Sequence, residues 1–172
     1  MKIHKKSNIV LIGMPGCGKS TVGVILAKRL LLDFVDTDVL IQTAQNRSLQ
    51  DIVDADGYIA LREIEEKILL RLDCLNHVVA TGGSAVYSGP AMEHLKLNGL
   101  VIFLDVEQSV LELRIRDFGA RGLAKRPDQS FADLFQERLP LYRRYADITL
   151  KSSDLSQEEV CDAVIDGLNK NF

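Results

Sequence analysis

Three observations predict an α/β fold with a parallel sheet covered by helices on both faces. Short, continuous apolar runs rich in β-branched residues recur along the chain. Segments of helical periodicity separate them, the pattern of strands buried on both faces. The 172 residues, 47% hydrophobic, are enough for one compact domain, taken as 1–172.

The elements follow in order. Asn8 to Ile12 is a strand that runs into glycines, after which Val22, Ile25, Leu26 and Leu30 share one helical face. Asp33 to Asp36 is a second short strand. Leu49 to Leu75 carries two helical stretches separated near Gly57, and His77 to Thr81 returns to a strand ended by Gly82 and Gly83. A helix over Gly89 to Leu97 leads to the strand Leu100 to Leu104 and a further helix from about Ser109 to Phe118. Residues 119–129 lack periodicity and hold Arg121, Lys125, Arg126, two glycines and a proline, so they read as a mobile cationic lid. Ser130 to Ala146 is helical despite Pro140, Ile148 to Leu150 is the last strand, and Ser156 with Glu159 forms a capping box for the terminal helix.

Charge and cysteine content narrow the function. Lys plus Arg total 21 against 24 Asp plus Glu, so the formal net charge is -3 and no global basic excess points to nucleic acid or a membrane surface. No apolar stretch approaches the ~20 residues a membrane span needs. The apolar run Ile9 to Ile12 is too short for a signal sequence. Cys17, Cys74 and Cys161 lack pairing or metal-type spacing and read as free thiols of a cytoplasmic protein.

The segment Gly13-Met-Pro-Gly-Cys-Gly-Lys-Ser20 matches G-x-x-x-x-G-K-[ST] between a strand and a helix, the context a P-loop requires. Gly13, Gly16 and Gly18 let the backbone bend so that N–H groups, including that of Cys17, point at an anion. The positive end of the following helix, from Lys19 through Ser20 and Thr21, strengthens the field. Lys19 is placed to reach the β- and γ-phosphates, and the Ser20 hydroxyl to join a Mg²⁺ shell. Cys17 reads either as a small residue filling a tight turn or as a thiol whose pKa the loop lowers.

Asp36 and Asp38 lie two apart, on the same side of an extended segment, where the second strand ends and ligands of open α/β sheets collect. One carboxylate suits Mg²⁺, and the other suits the hydroxyl attacking a γ-phosphate. The competing structural reading makes Asp38 the N-cap of the next helix.

With these features, Leu61-Arg-Glu-Ile-Glu65, Thr81-Gly-Gly83 and Arg138-Leu-Pro-Leu-Tyr142 make the chain resemble the shikimate kinase family over most of its length. The resemblance implies a three-layer, nucleoside-monophosphate-kinase-like P-loop fold with a five-stranded parallel sheet. It implies ATP and Mg²⁺ as cofactors and phosphorylation of the shikimate 3-hydroxyl. Carried over by position, Asp38 holds the acceptor hydroxyl and Asp36 helps organise Mg²⁺. Arg62 and Arg138 grip the substrate carboxylate, a pairing suited to the guanidinium fork. Gly82 and Gly83 allow close approach of substrate, Arg121 is the lid arginine, and Arg114 stacks on adenine. A monomer or weak dimer is expected.

Judged alone, Arg62 is a surface ion pair with Glu65 or Glu66 at helical spacing, and Arg138 a solvated residue. Two departures from the family pattern stand out. Ser84 occupies the place of a third glycine, at the edge of the substrate pocket, where it could add a hydrogen bond or crowd the ring. The lid reads Arg121-Gly-Leu-Ala124 where the family usually has Arg-Pro-Leu-Leu. A kinase of another small hydroxy acid, such as homoserine or a sugar acid, and a non-catalytic nucleotide-binding regulator are the alternatives.

Overall fold

The structure, a computed structural model, describes residues 7–115 and 122–171. Five strands, β1 (Asn8–Ile12), β2 (Asp33–Asp36), β3 (His77–Ala80), β4 (Gly99–Asp105) and β5 (Ile148–Lys151), form a sheet of order β2-β3-β1-β4-β5. Every pairing is parallel. The central strands β1 and β4 are buried almost throughout, which is why they read as unbroken apolar runs, whereas the edge strands β2 and β5 are partly exposed.

Among the described residues, seven helices connect or flank the strands: α1 (Lys19–Leu30), α2 (Thr37–Gln45), α3 (Leu49–Leu70), α4 (Gly89–Asn98), α5 (Gln108–Arg114), α6 (Phe131–Tyr145) and α7 (Gln157–Asn171). Helices α1 and α7 pack together, while α3, α4 and α6 meet around a 3-10 turn, Ala85–Tyr87. The strand order sends the β1–α1–β2 and β3–α4–β4 connections in opposite directions across the sheet, and the right-handed crossover rule then assigns the two groups to opposite faces. The main core fills the space between sheet and helices. A smaller cluster of Ile41, Ile52, Leu61 and Ala124 joins α2 and α3 to the segment from residue 122 onward.

The expected elements are present among the described residues, and one helix was not expected. The chain does not stay extended through Asp38: helix α2, absent from the periodicity reading, starts at Thr37. Its N-cap is Asp36 rather than Asp38, because the Asp36 carboxylate accepts from the Asp38 N–H at 2.9 Å and so satisfies a first-turn donor. Leu49 to Leu70 is continuous apart from Gly57, whose φ of 88° and ψ of 165° mark the expected break. The helix expected to reach Phe118 is described to Arg114, and residues 116–118 lie outside the described residues. Ser156 pairs with Glu159 as anticipated, Ser130 forms a capping box with Asp133 that the sequence reading did not single out, and α6 continues through Pro140.

Candidate active site

The carboxyl ends of β1, β2 and β3 converge on one cavity of about 670 Å³, at the point where strand order diverges to either side of β1. Its floor is the P-loop. Gly13, Gly16 and Gly18 all have positive φ, and the loop opens directly into α1. Lys19 is buried, with its ammonium donating to the carbonyls of Gly13 at 2.8 Å and Met14 at 3.0 Å. Cys17 is buried with its Sγ 3.6 Å from the Lys19 Nζ, filling the turn. Ser20 and Thr21 are exposed on the first turn of α1, and the Ser20 hydroxyl donates to Asp36 Oδ2 at 2.5 Å. A hydroxyl and a carboxylate oxygen side by side are the hard donors a Mg²⁺ ion prefers. Arg114 is exposed at the cavity rim, and Arg121 lies outside the described residues.

The opposite wall is acidic and tightly packed. Thr81 binds back to the Leu11 carbonyl through both its N–H and its hydroxyl, and the Gly82 N–H donates to Thr37 Oγ1 at 3.1 Å. These bonds fasten the exit of β3 to β1 and α2. A Cβ on Gly82 would overlap Glu65 Oε1 and Asp38 Oδ1, so only glycine lets both carboxylates close over this backbone. Burial raises the Asp38 pKa, against the attraction of Lys19. Burial pushes the Glu65 carboxyl up to about 7, opposed by the Ser84 hydrogen bond and reinforced by Asp38. Ser84 donates to Glu65 Oε2, while Glu65 Oε1 is buried without a hydrogen-bond partner among the described residues. Ser84 therefore adds a hydrogen bond to the wall.

The two arginines sit deeper than their sequence context suggested. Arg138 is 1% exposed, which corrects its reading as a solvated residue. Arg62 does not make the helical ion pair with Glu65 or Glu66. It stacks on the Tyr87 ring, 3.6 Å from the centroid, and lies 3.9 Å from Glu137. Burial lowers its pKa, with the neighbouring Arg138 acting in the same direction. Both guanidinium groups donate to the Ala124 carbonyl, Arg62 at 2.9 Å and Arg138 at 3.0 Å.

Gly122 explains one departure from the family pattern. Its φ is +59°, its N–H donates to Gln50 Oε1 at 2.8 Å, and a Cβ there would overlap the backbone of Leu49 and Gln50. Proline, with φ near -65° and no N–H, could not take this place. Glu65, Tyr87 and the Ala124 carbonyl were not picked out as site groups. Only Glu65 carried a signal, one helical turn from Arg62 inside the quoted motif.

Comparison with known proteins adds a family. The sequence profile of shikimate kinase matches residues 15–169. A shikimate kinase of Thermodesulfovibrio yellowstonii is 35% identical over 161 residues, covering 92% of each chain. The structure of a shikimate kinase from Acinetobacter baumannii in complex with shikimate superposes with a TM-score of 0.89 at 29% identity, covering 98% of this chain and 96% of that one. That of the Aquifex aeolicus shikimate kinase gives 0.80 at 32% identity, covering 95% and 97%.

Proposed function

The chain belongs to the shikimate kinase family and is an ATP-dependent kinase of shikimate; from that premise we propose that the 3-hydroxyl is the acceptor and that the cavity residues divide into a donor and an acceptor side. One observation carries the assignment. The P-loop, the Asp38 carboxylate and the buried Arg138 line a single cavity, with Arg62 sharing the acceptor-side carbonyl. A phosphate site alone would serve a switch or an ATPase equally well.

On the donor side, backbone N–H groups from Gly13 to Ser20 and the Lys19 ammonium hold the ATP phosphates. Thr21 and Arg114 complete the nucleotide contacts, and Arg121 covers the transferred group from the lid at 119–129. Ser20 and Asp36 fit a Mg²⁺ ion, which when bound neutralises phosphate charge. On the acceptor side, Arg62 and Arg138 grip the carboxylate, while Gly82, Gly83 and Ser84 form the wall against the ring. Asp38 holds the acceptor hydroxyl in line. The hydroxyl O–H and the Pγ–O bond to ADP break, the new P–O bond forms, and the proton passes to Asp38. Burial supports that role by raising the Asp38 pKa. The protein contributes position and charge more than covalent chemistry.

The free thiols Cys17, Cys74 and Cys161 support a reducing, cytoplasmic setting. Among the described residues, no helix is long and apolar enough to cross a membrane. The deciding experiment is acceptor-dependent ADP release, with shikimate, homoserine and sugar acids compared at equal concentration. Shikimate is expected to give the highest kcat/KM; turnover of homoserine with none of shikimate would overturn the substrate, and nucleotide binding without turnover of any acceptor would favour the regulator.

A further inference from the structure

We propose that Tyr87 is a positioning residue that sets the geometry of the arginine fork, and hence the affinity for the acceptor's carboxylate. The inference rests on the acceptor assignment above, but it requires only that the acceptor carry a carboxylate.

Tyr87 ends the 3-10 turn after β3 and stands between the two arginines, which arrive from different helices. Its ring face takes the Arg62 guanidinium, 3.6 Å from the centroid, with the Tyr58 ring 5.1 Å away. Its hydroxyl accepts from Arg138 Nε at 3.4 Å and donates to Glu137. Among the described residues Arg62 Nε, which is buried, has no hydrogen-bond partner, so the aromatic face and one bond from Nη2 to Ala124 set the plane of this guanidinium. A planar fork recognises a carboxylate only when both N–H edges face it, so its tilt controls affinity.

The Tyr87 hydroxyl has a second effect. Glu137 lies 3.9 Å from Arg62 and also takes Arg126 and Gln129. By donating to Glu137, Tyr87 occupies part of a carboxylate that would otherwise compete with the substrate for Arg62. One side chain thus stacks one arginine, braces the other, and engages the carboxylate paired with Arg62.

The test is steady-state kinetics of the full chain with ATP and shikimate, for Tyr87→Phe and Tyr87→Leu. Loss of a long hydrogen bond to a charged group predicts a shikimate KM raised about tenfold in Tyr87→Phe. Loss of the stack predicts a further rise of about fivefold in Tyr87→Leu. The ATP KM and kcat are expected to stay within about twofold of wild type. With a shikimate analogue whose carboxylate is a primary carboxamide, wild type and Tyr87→Phe are expected to be equal. A shikimate KM unchanged in Tyr87→Phe, a fall in kcat at constant KM, or an equal loss on the carboxamide would each overturn the proposal. Tyr87→Phe is nearly isosteric and decides the matter if Tyr87→Leu does not fold. If wild type turns over another carboxylated acceptor and not shikimate, the acceptor assignment fails, and the same ratios measured on that acceptor still test Tyr87.

Discussion

Arg62 and Arg138 donate to one and the same oxygen, the carbonyl of Ala124. Two cations converging on a single neutral acceptor is a poor use of charge, since each guanidinium also feels the other. A carboxylate offers two oxygens and a negative charge to the same donors. An acceptor that used these same Nη2 donors would displace the Ala124 carbonyl, which belongs to the segment that docks on α3 through Gly122 and Gln50. On the proposed assignment, acceptor binding and the position of residues 122–124 share these hydrogen bonds.

Replacing the fork by a point charge tests the acceptor side. In Arg138→Lys the bonds to Ala124 and Tyr87 cannot both be made, and the bidentate grip on a carboxylate is lost. The shikimate KM is expected to rise roughly tenfold to a hundredfold, as for a charge-assisted hydrogen bond, with ATP binding unchanged. Equal weakening of nucleotide binding would show that Arg138 serves the fold of the whole cavity instead.

Asp38→Asn keeps the shape of the acceptor site but removes a proton acceptor. Loss of general-base assistance corresponds to about 10² to 10⁴ in rate, so kcat is expected to fall by that order while shikimate KM and nucleotide affinity change little. A near-normal kcat would leave Asp38 as a hydrogen-bonding group alone. Lys19→Met, which takes the ammonium out of the phosphate cradle, is expected to abolish turnover.

The P-loop was legible because its residues are contiguous: a strand, Gly13 to Ser20 and a helix specify a phosphate cradle by local geometry alone. The acceptor half is assembled from distant segments, and there single residues misled. Arg138 read as solvated because nothing nearby in sequence reveals that Tyr87 and the Ala124 carbonyl bury and satisfy it. Helix α2 escaped notice because its start depends on one cap, Asp36, in a run that also reads as extended. The strands were visible in the apolar runs, but their order, with β1 between β3 and β4, is set by crossovers and packing that periodicity does not encode.

Gly122 offers a test of the docked segment. A side chain there meets the backbone of Leu49 and Gln50 at a φ of +59°, so Gly122→Ala is expected to cost about 1 to 3 kcal/mol of local stability. Faster amide exchange and proteolysis at residues 122–129, with the sheet strands unaffected, is the expected signature. An unchanged exchange rate would mean that the contact with α3 does not hold the segment.

Glu65 ties pH to stability, and the sign follows from its environment. Its carboxyl titrates near 7 when folded against an ordinary value of 4.5, chiefly because it is buried. The folded state therefore holds this proton more tightly, and the group weakens folding as pH rises from about 4.5 to 7, with the full penalty present above that window. The groups facing it are Ser84, Asp38, Arg138 and Lys19. Asp38 is also raised, so it adds a slope of the same sign that a Glu65 variant retains. Glu65→Gln keeps an oxygen for Ser84 and cannot ionise, so it isolates the Glu65 share. Chemical denaturation at pH 5 and pH 8 is expected to show the variant gaining on wild type at the higher pH, by up to about 3 kcal/mol. Parallel pH dependences for the two proteins would mean that Glu65 is ionised in the folded state at both values, with Arg138 and Lys19 outweighing its burial.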